Sequence, residues 1–187
     1  MASGAKQDLR VVKTLDAIHS AFTEMLLERP FSKITVTALC ERARINKKTF
    51  YRYYQTLDDL LQELEQSYIT PYVKLTSGLR YPDDVCEITR IFLEYCAEQG
   101  ELFDAIAVSG SHERILKQFI TGIEADRYTY SKPPEGWTPE EWNLYMVGVT
   151  SSQLRFYQQW VEDGRKVPLD RMVDIACRLI CNGAILY

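Results

Sequence analysis

Apolar residues recur at intervals of three and four along most of this 187-residue chain, a spacing that predicts helices. Strand-like alternation is confined to the short segment Lys33–Thr37. The first helix is expected to end before Pro30, because proline cannot continue a helix. Its predicted buried stripe consists of Val12, Leu15, Ile18, Phe22, Met25 and Leu26. The pattern therefore predicts an all-α fold.

Residues that favour helix N-caps divide the remaining pattern into separate helices. In chain order these residues are Thr35, Asn46, Thr56 and Thr138. Proline follows Thr138, and Glu141 follows three positions later, which is the sequence of a capping box. We expect the helix after Asn46 to end near Tyr54, and the long helix after Thr138 to end before Gly164.

The short helix after Asn46 has two different faces. Phe50 and Tyr54 lie four residues apart and can close a core, while the opposite face carries cations and one phenol. The residues of that outward face are Lys47, Lys48, Tyr51 and Arg52. Such a face suits the major groove of DNA, where side chains bind base edges and phosphates. The alternative is the solvated face of an ordinary helical domain.

Positive charge is concentrated in the same first part of the chain that contains this helix. Up to Thr56 there are ten Lys and Arg against five Asp and Glu, whereas the remainder has 12 against 21. Each phosphate neutralised by a cation releases a counterion and adds affinity for a polyanion. A basic first part on an acidic body suggests that the first part alone contacts a polyanion, and the alternative is an ordinary fluctuation of surface charge along the chain.

The segment ITVTALCERARINKKTFYRYYQTLDDLL, Ile34–Leu61, resembles the amino-terminal domain of the TetR family of bacterial transcriptional regulators. Thr49-Phe50-Tyr51 is its most specific part. The resemblance implies a three-helix helix-turn-helix DNA-binding domain over residues 1–56 and a helical regulatory and dimerisation domain over residues 57–187. It further implies a homodimeric repressor of a palindromic operator, released by a small-molecule effector.

Carried over residue by residue, the resemblance makes Thr37 a phosphate contact and Lys47 and Lys48 base or phosphate contacts. The predicted DNA contacts are Thr37, Arg44, Asn46, Lys47, Lys48, Thr49, Tyr51, Arg52 and Tyr53. Arg44 stands where the family usually has glycine. If its φ is positive, arginine costs about 1 kcal/mol there. Leu57 stands where the family often has lysine, so one phosphate contact is absent.

The last two helices are apolar on more than one side, which predicts partners on more than one side. We expect them to pair with their symmetry mates in a four-helix interface of a homodimer. The predicted interface residues are Tyr145, Val149, Ser152, Phe156, Trp160, Met172, Ala176, Leu179, Ile180 and Gly183. The alternative is the core of a monomer.

Aromatic residues gather in the middle of the chain. They are Tyr68, Tyr72, Phe92, Tyr95, Phe103 and Phe119, and they are candidates for lining an effector pocket. The resemblance implies that a ligand held between the fourth and seventh helices would change the spacing of the two DNA-binding domains of the dimer, so that one half-site is lost. The alternative is that the six aromatic residues form an ordinary core.

Other classes of protein find little support in the sequence. There is no paired nucleophile and base, no phosphate-binding glycine loop and no metal-ligand spacing, so we expect no enzyme activity, cofactor or metal. No apolar run is long enough to cross a bilayer. The five cysteines are interpreted as reduced thiols of a cytoplasmic protein. A ligand-independent co-regulator, whose C-terminal domain binds a protein partner, remains an alternative, as does activation in place of repression.

Overall fold

The computed structural model describes residues 2–182. Over that range the backbone forms helices and no strand, so the all-α prediction is confirmed. Its contacts divide the chain into two compact units, Met1–Glu65 and Gln66–Tyr187. This division falls inside the fourth helix. The functional boundary predicted between residues 56 and 57 stays a prediction.

The first unit contains three helices and the beginning of a fourth, and a short 3-10 turn, Phe31–Lys33, follows the first helix. The second unit contains the remaining helices and a second 3-10 turn, Gly110–His112. In chain order the helices are α1 Ala2–Glu28, α2 Val36–Arg42, α3 Lys47–Phe50, α4 Leu57–Leu75, α5 Val85–Glu98, α6 Glu101–Val108, α7 Glu113–Tyr130, α8 Pro139–Glu162 and α9 Leu169–Asn182.

The predicted N-caps are confirmed by their hydrogen bonds. The Thr35 hydroxyl accepts from the Ala38 N–H at 3.2 Å, and the Thr56 hydroxyl accepts from the Asp59 N–H at 3.2 Å. At the start of α8, Thr138 and Glu141 form the complete capping box. Each cap satisfies a backbone N–H that the helix itself leaves without a partner.

The core of the first unit uses most of the predicted stripe of α1. Ile18, Phe22, Met25 and Leu26 are all buried, as expected. The prediction is wrong for Val12, which is 49% exposed. Neighbouring residues of α1 line an open depression and not a packed core. The apolar residues at intervals of three and four therefore continue beyond the part of α1 that other residues cover.

An ion pair joins the end of α1 to the end of α2. Arg42 donates from Nη1 to Glu28 Oε1 at 2.6 Å and from Nη2 to Glu28 Oε2 at 2.8 Å. This two-bond geometry is the favourable one for arginine and a carboxylate. Arg42, with help from Arg29, lowers the pKa of Glu28 to about 2.

In the second unit, α5 packs against α8 and α9, and α8 also packs against α6. Gln153 of α8 is buried among these helices, where its amide nitrogen donates to the Thr89 hydroxyl at 2.8 Å and the Tyr81 hydroxyl at 3.2 Å. The buried amide therefore has partners for its donors, as a buried polar group requires.

The expectation that all five cysteines are reduced is wrong, because Cys86 and Cys181 form a disulfide. The packing of α5 against α9 brings their Cα atoms to 5.9 Å, although they lie 95 residues apart in sequence. Cys40 and Cys96 are buried thiols, and Cys177 is a half-buried thiol.

None of the described helices is both long and apolar enough to cross a membrane.

We predict that the Glu28–Arg42 pair stabilises the protein in a pH-dependent way. The pKa of Glu28 is lowered from 4.5 to about 2 in the folded chain. Its contribution is therefore fully present above about pH 4.5 and is lost as the pH falls towards 2. Urea unfolding of the wild-type chain and of Glu28→Gln should differ at pH 6 and converge near pH 2 to 3. Glu41→Gln is the control, because Glu41 forms no ion pair with any described residue. An equal pH dependence in both variants would contradict the prediction.

Candidate functional site

The turn between α2 and α3 is a Schellman motif with arginine in the position that usually holds glycine. Arg44 has φ 55°, so the positive φ considered above is confirmed. The Arg44 N–H donates to the Glu41 carbonyl at 3.2 Å, and the Ile45 N–H donates to the Cys40 carbonyl at 3.0 Å. These two bonds satisfy the last carbonyls of α2 and fix the direction in which the chain enters α3.

Helix α3 is one turn long and is held at its start by Asn46. The Asn46 Oδ1 accepts from the Thr49 N–H at 2.8 Å and from the Thr49 hydroxyl at 3.0 Å. The α-helix ends at Phe50, and the Tyr53 and Tyr54 N–H groups then bond back to the Phe50 carbonyl. The helix expected to reach Tyr54 is thus a shorter helix continued by a turn.

One side of this segment is buried in the first unit. Phe50 is fully buried, and the Tyr54 ring lies beside it with the ring centroids 5.7 Å apart. The Tyr54 hydroxyl is hydrogen-bonded to His19 Nε2 at 2.8 Å, and that nitrogen lies 3.2 Å from Glu63 Oε1. Burial, followed by the interaction with Glu63, holds the pKa of Tyr54 above its ordinary value. The phenol therefore stays neutral and links the turn after α3 to α1.

The other side of the segment faces solvent. Lys47, Lys48 and Arg52 are exposed, and Tyr51 is 54% exposed. Among the residues that the structure describes, none of the three cations takes part in an ion pair. Exposed cations that are not neutralised within the protein can exchange their counterions for phosphates.

The remaining predicted DNA contacts lie near these exposed residues in the sequence. Thr37 is exposed in the first turn of α2, and Arg44 and Asn46 are exposed at the turn. Thr49 and Tyr53 are half-buried. We call the nine predicted contacts, from Thr37 to Tyr53, the α2–α3 surface.

Sequence reasoning missed two further cations of α1. Arg10 and Lys13 line a depression of about 390 Å³ together with Ile45, the residue that follows the strained turn. The α1 cations therefore lie beside the α2–α3 surface. The signal that could have found them is the excess of lysine and arginine over the whole first 56 residues, which is not confined to α3.

The six aromatic residues predicted to line an effector pocket belong to one core cluster of the second unit. Phe103 and Phe119 pack edge to face at 5.1 Å between ring centroids, and Tyr72 and Phe92 do so at 5.9 Å. This packing supports the alternative of an ordinary core. A cavity of about 580 Å³ lies elsewhere, and none of the six residues lines it. Their binding role stays a prediction.

The predicted interface residues of α8 and α9 fall into three groups. Val149, Trp160, Met172 and Ala176 are buried within one chain, which leaves them little surface for a partner. The half-buried residues are Tyr145, Ser152, Phe156, Leu179 and Ile180. Gly183 lies outside the described residues. The large apolar side chains that α8 exposes are instead Leu144, at 74%, and Val147, at 56%.

Comparison with known proteins supports the all-helical fold and finds a family match in the first part of the chain. Residues 18–64 match the family model for bacterial regulatory proteins of the tetR family. The chain is 35% identical over 60 residues to the uncharacterized HTH-type transcriptional regulator YxbF of Bacillus subtilis (strain 168). That match covers 32% of this chain and 16% of the relative, so the chain spans about a sixth of the relative's length.

Two solved structures are similar over nearly the whole chain. A TetR transcriptional regulator from Streptococcus agalactiae 2603V has a TM-score of 0.67 at 23% identity, covering 95% of this chain and 99% of the other. The transcriptional regulator FadR from Bacillus subtilis, solved in complex with stearoyl-CoA, has a TM-score of 0.60 at 14% identity, covering 90% and 98%. At these identities the similarity shows a shared fold.

We predict that Arg44→Gly raises the free energy of unfolding by about 0.5–1 kcal/mol. Glycine removes the strain of a positive φ, about 1–2 kcal/mol. It also loses more conformational entropy on folding than arginine does, which offsets part of that gain. The matched control is Ala43→Gly one residue earlier, where φ is −70°. That substitution relieves no strain and should lower the free energy of unfolding by about 0.5–1 kcal/mol. Urea titrations of both variants test the opposite signs, and a loss of stability in Arg44→Gly would contradict the interpretation.

Proposed function

We propose that this chain, whose residues 18–64 match the family model for bacterial regulatory proteins of the tetR family, is a transcriptional regulator that binds double-stranded DNA. The observation that carries the proposal is the two-sided character of α3. Phe50 is fully buried on one side, while Lys47 and Lys48 are exposed without ion-pair partners in the described structure on the other. This is the arrangement that a helix entering a groove requires.

In this proposal α3 enters the major groove of an operator. Lys47 and Lys48 contact base edges or phosphates, and the hydroxyls of Thr37 and Tyr51 bind phosphate oxygens. Arg44 contributes its charge at the turn, and Arg10 and Lys13 add cations from α1. Residues 1–56 then form the DNA-binding part, and residues 57–187 form the part that dimerises and responds to an effector.

We propose further that the protein is a homodimer that reads a palindromic operator. Two recognition helices about 34 Å apart would contact two half-sites on the same side of the duplex. The exposed residues Leu144, Val147, Gly148 and Ser151 recur at the spacing of one helical face on α8. The two exposed apolar side chains of this face are suited to contact with a second copy of the chain, with Ile175 of α9, 37% exposed, as a further contact.

Regulation by a small molecule completes the proposal, with repression relieved when the effector binds. Two observations support it: the cavity of about 580 Å³ in the second unit and the fold shared with a regulator solved in complex with stearoyl-CoA. A ligand that binds one state of the regulator more tightly shifts the population towards that state.

We predict that Lys48→Ala and Tyr51→Ala each weaken binding to a genomic operator fragment selected by the wild-type protein. For a lost lysine–phosphate contact, the slope of log K against log[salt] should become shallower by about one unit. The Tyr51 variant should lose affinity with a smaller change in slope, because a neutral hydroxyl releases no counterion. The control is Lys117→Ala, which removes an exposed cation from α7. Fluorescence anisotropy at several salt concentrations measures all three variants, and unchanged affinity in both α3 variants would refute the assigned site.

We predict that Leu144→Glu combined with Val147→Glu converts the dimer to a monomer. Two like charges placed on each copy would have to be buried without partners, which costs several kcal/mol. Val108→Glu is the control, since Val108 is 38% exposed at the end of α6 and lies outside the proposed face. Sedimentation equilibrium reports the mass. A wild-type monomer would contradict the homodimer, and an α8 variant that remains dimeric would contradict this face.

A further inference from the structure

The cavity of about 580 Å³ lies within the second unit and has the size of a small-molecule site. The last turns of α4, the segment that follows them and the last turns of α7 form its wall. Val73 and Leu79 provide apolar surface, and the hydroxyls of Thr70, Ser77 and Tyr130 provide polar groups. Such a lining fits a ligand that has both an apolar part and a polar part.

Arg127 of α7 reaches this cavity from a buried position. The residue is only 6% exposed. Its Nη2 donates to the Tyr72 hydroxyl, and its guanidinium lies over two aromatic rings, 5.2 Å from the centroid of Tyr72 and 4.9 Å from that of Tyr81. The Nε and Nη1 atoms are buried and have no hydrogen-bond partner within the described structure. Three of the five N–H donors of this side chain are therefore unused.

The described residues also provide no counterion for the positive charge of Arg127. Across the described part of the chain, Arg127 forms no ion pair with a carboxylate. Burial lowers its pKa to about 9, and at pH 7 the guanidinium is still protonated. A buried charge without a partner is strongly unfavourable. Contact with the two aromatic rings offsets only part of that cost, so an anion from outside the chain would bind favourably here.

The rest of the cavity wall has the same sign of charge. Lys74 and Arg80 are exposed on it, and the residues that line it include no aspartate or glutamate. We propose that this cavity binds a small organic anion through a carboxylate or phosphate group, with Arg127 as the buried cationic partner and Lys74 and Arg80 at the entrance. The apolar part of the ligand lies against Val73 and Leu79.

Only one part of this inference rests on the proposed function, namely that the bound anion is the effector that changes DNA affinity. Anion binding itself is a property of the second unit and is measured without DNA. The two claims therefore fail separately.

The test uses calorimetric titration of the full chain with three probes that have the same alkyl length: hexanoate, hexyl phosphate and neutral hexanamide. At least one anion should bind at concentrations up to ~10 mM, and the amide should bind at least about tenfold more weakly. The relative affinities of hexanoate and hexyl phosphate identify the preferred anionic group. Equal binding of the amide, or no binding of either anion, would overturn the proposal.

Variants assign the binding to this cavity. Arg127→Met should weaken anion binding by about 10- to 100-fold, the equivalent of one hydrogen bond to a charged group. Since this buried position could affect folding, Lys74→Gln and Arg80→Gln provide exposed substitutions that should each weaken anion binding several-fold and leave amide binding unchanged. Lys117→Gln, which removes a cation of α7 outside the cavity lining, is the matched control. Unchanged anion affinity in a folded Arg127→Met, or in the Lys74→Gln and Arg80→Gln double variant, would refute the site.

A last experiment distinguishes anion binding at the site from an effect of the bound anion on DNA binding. The preferred anion is added to the wild-type protein bound to its operator fragment, and the affinity for DNA is measured. A change in affinity that is absent in Arg127→Met supports the effector role. An anion that binds the cavity but leaves DNA affinity unchanged overturns that role and leaves both the site and the DNA-binding proposal standing.

Discussion

Burial of Phe50 is the interaction on which the α2–α3 surface depends. Helix α3 has four residues, and a helix of that length does not persist alone because its first turn is entropically costly. The fully buried Phe50 ring contributes roughly 1.5–3 kcal/mol, and the Asn46 cap and the Tyr54–His19 hydrogen bond add directional restraints. With that side fixed inward, Lys47 and Lys48 have no alternative but to face solvent.

Local features of this arrangement could be predicted from the sequence because they span three or four residues. Thr35, Asn46 and Thr138 each bond to a group three positions later, so their spacing alone marks the helix starts. The faces of α3 follow from the same period. The strain at Arg44 could also be predicted locally. The residue at this position after α2 has the left-handed conformation that usually requires glycine, and the chain has arginine there.

Features that depend on packing between distant segments could not be predicted in this way. Cys86 and Cys181 meet because α5 packs on α9, and nothing in their own neighbourhoods indicates it. The exposure of Val12 depends on which part of α1 other residues cover. The aromatic residues of the middle segment, identified as a possible pocket, fill a core cluster, while the cavity lies against Arg127, a residue with no distinctive pattern around it.

The choice of arginine at position 127 distinguishes a binding role from simple filling of space. A lysine buried to the same degree would lose its proton, and with it much of the desolvation penalty of a buried charge. An apolar residue would pack there without any such penalty. Arginine remains charged, and its flat guanidinium lies over Tyr72 and Tyr81, which hold it in place without neutralising it. The chain thus keeps a positive charge at a cavity wall at neutral pH, which lowers its own stability. Such an expense is typical of sites where a ligand supplies the missing partner.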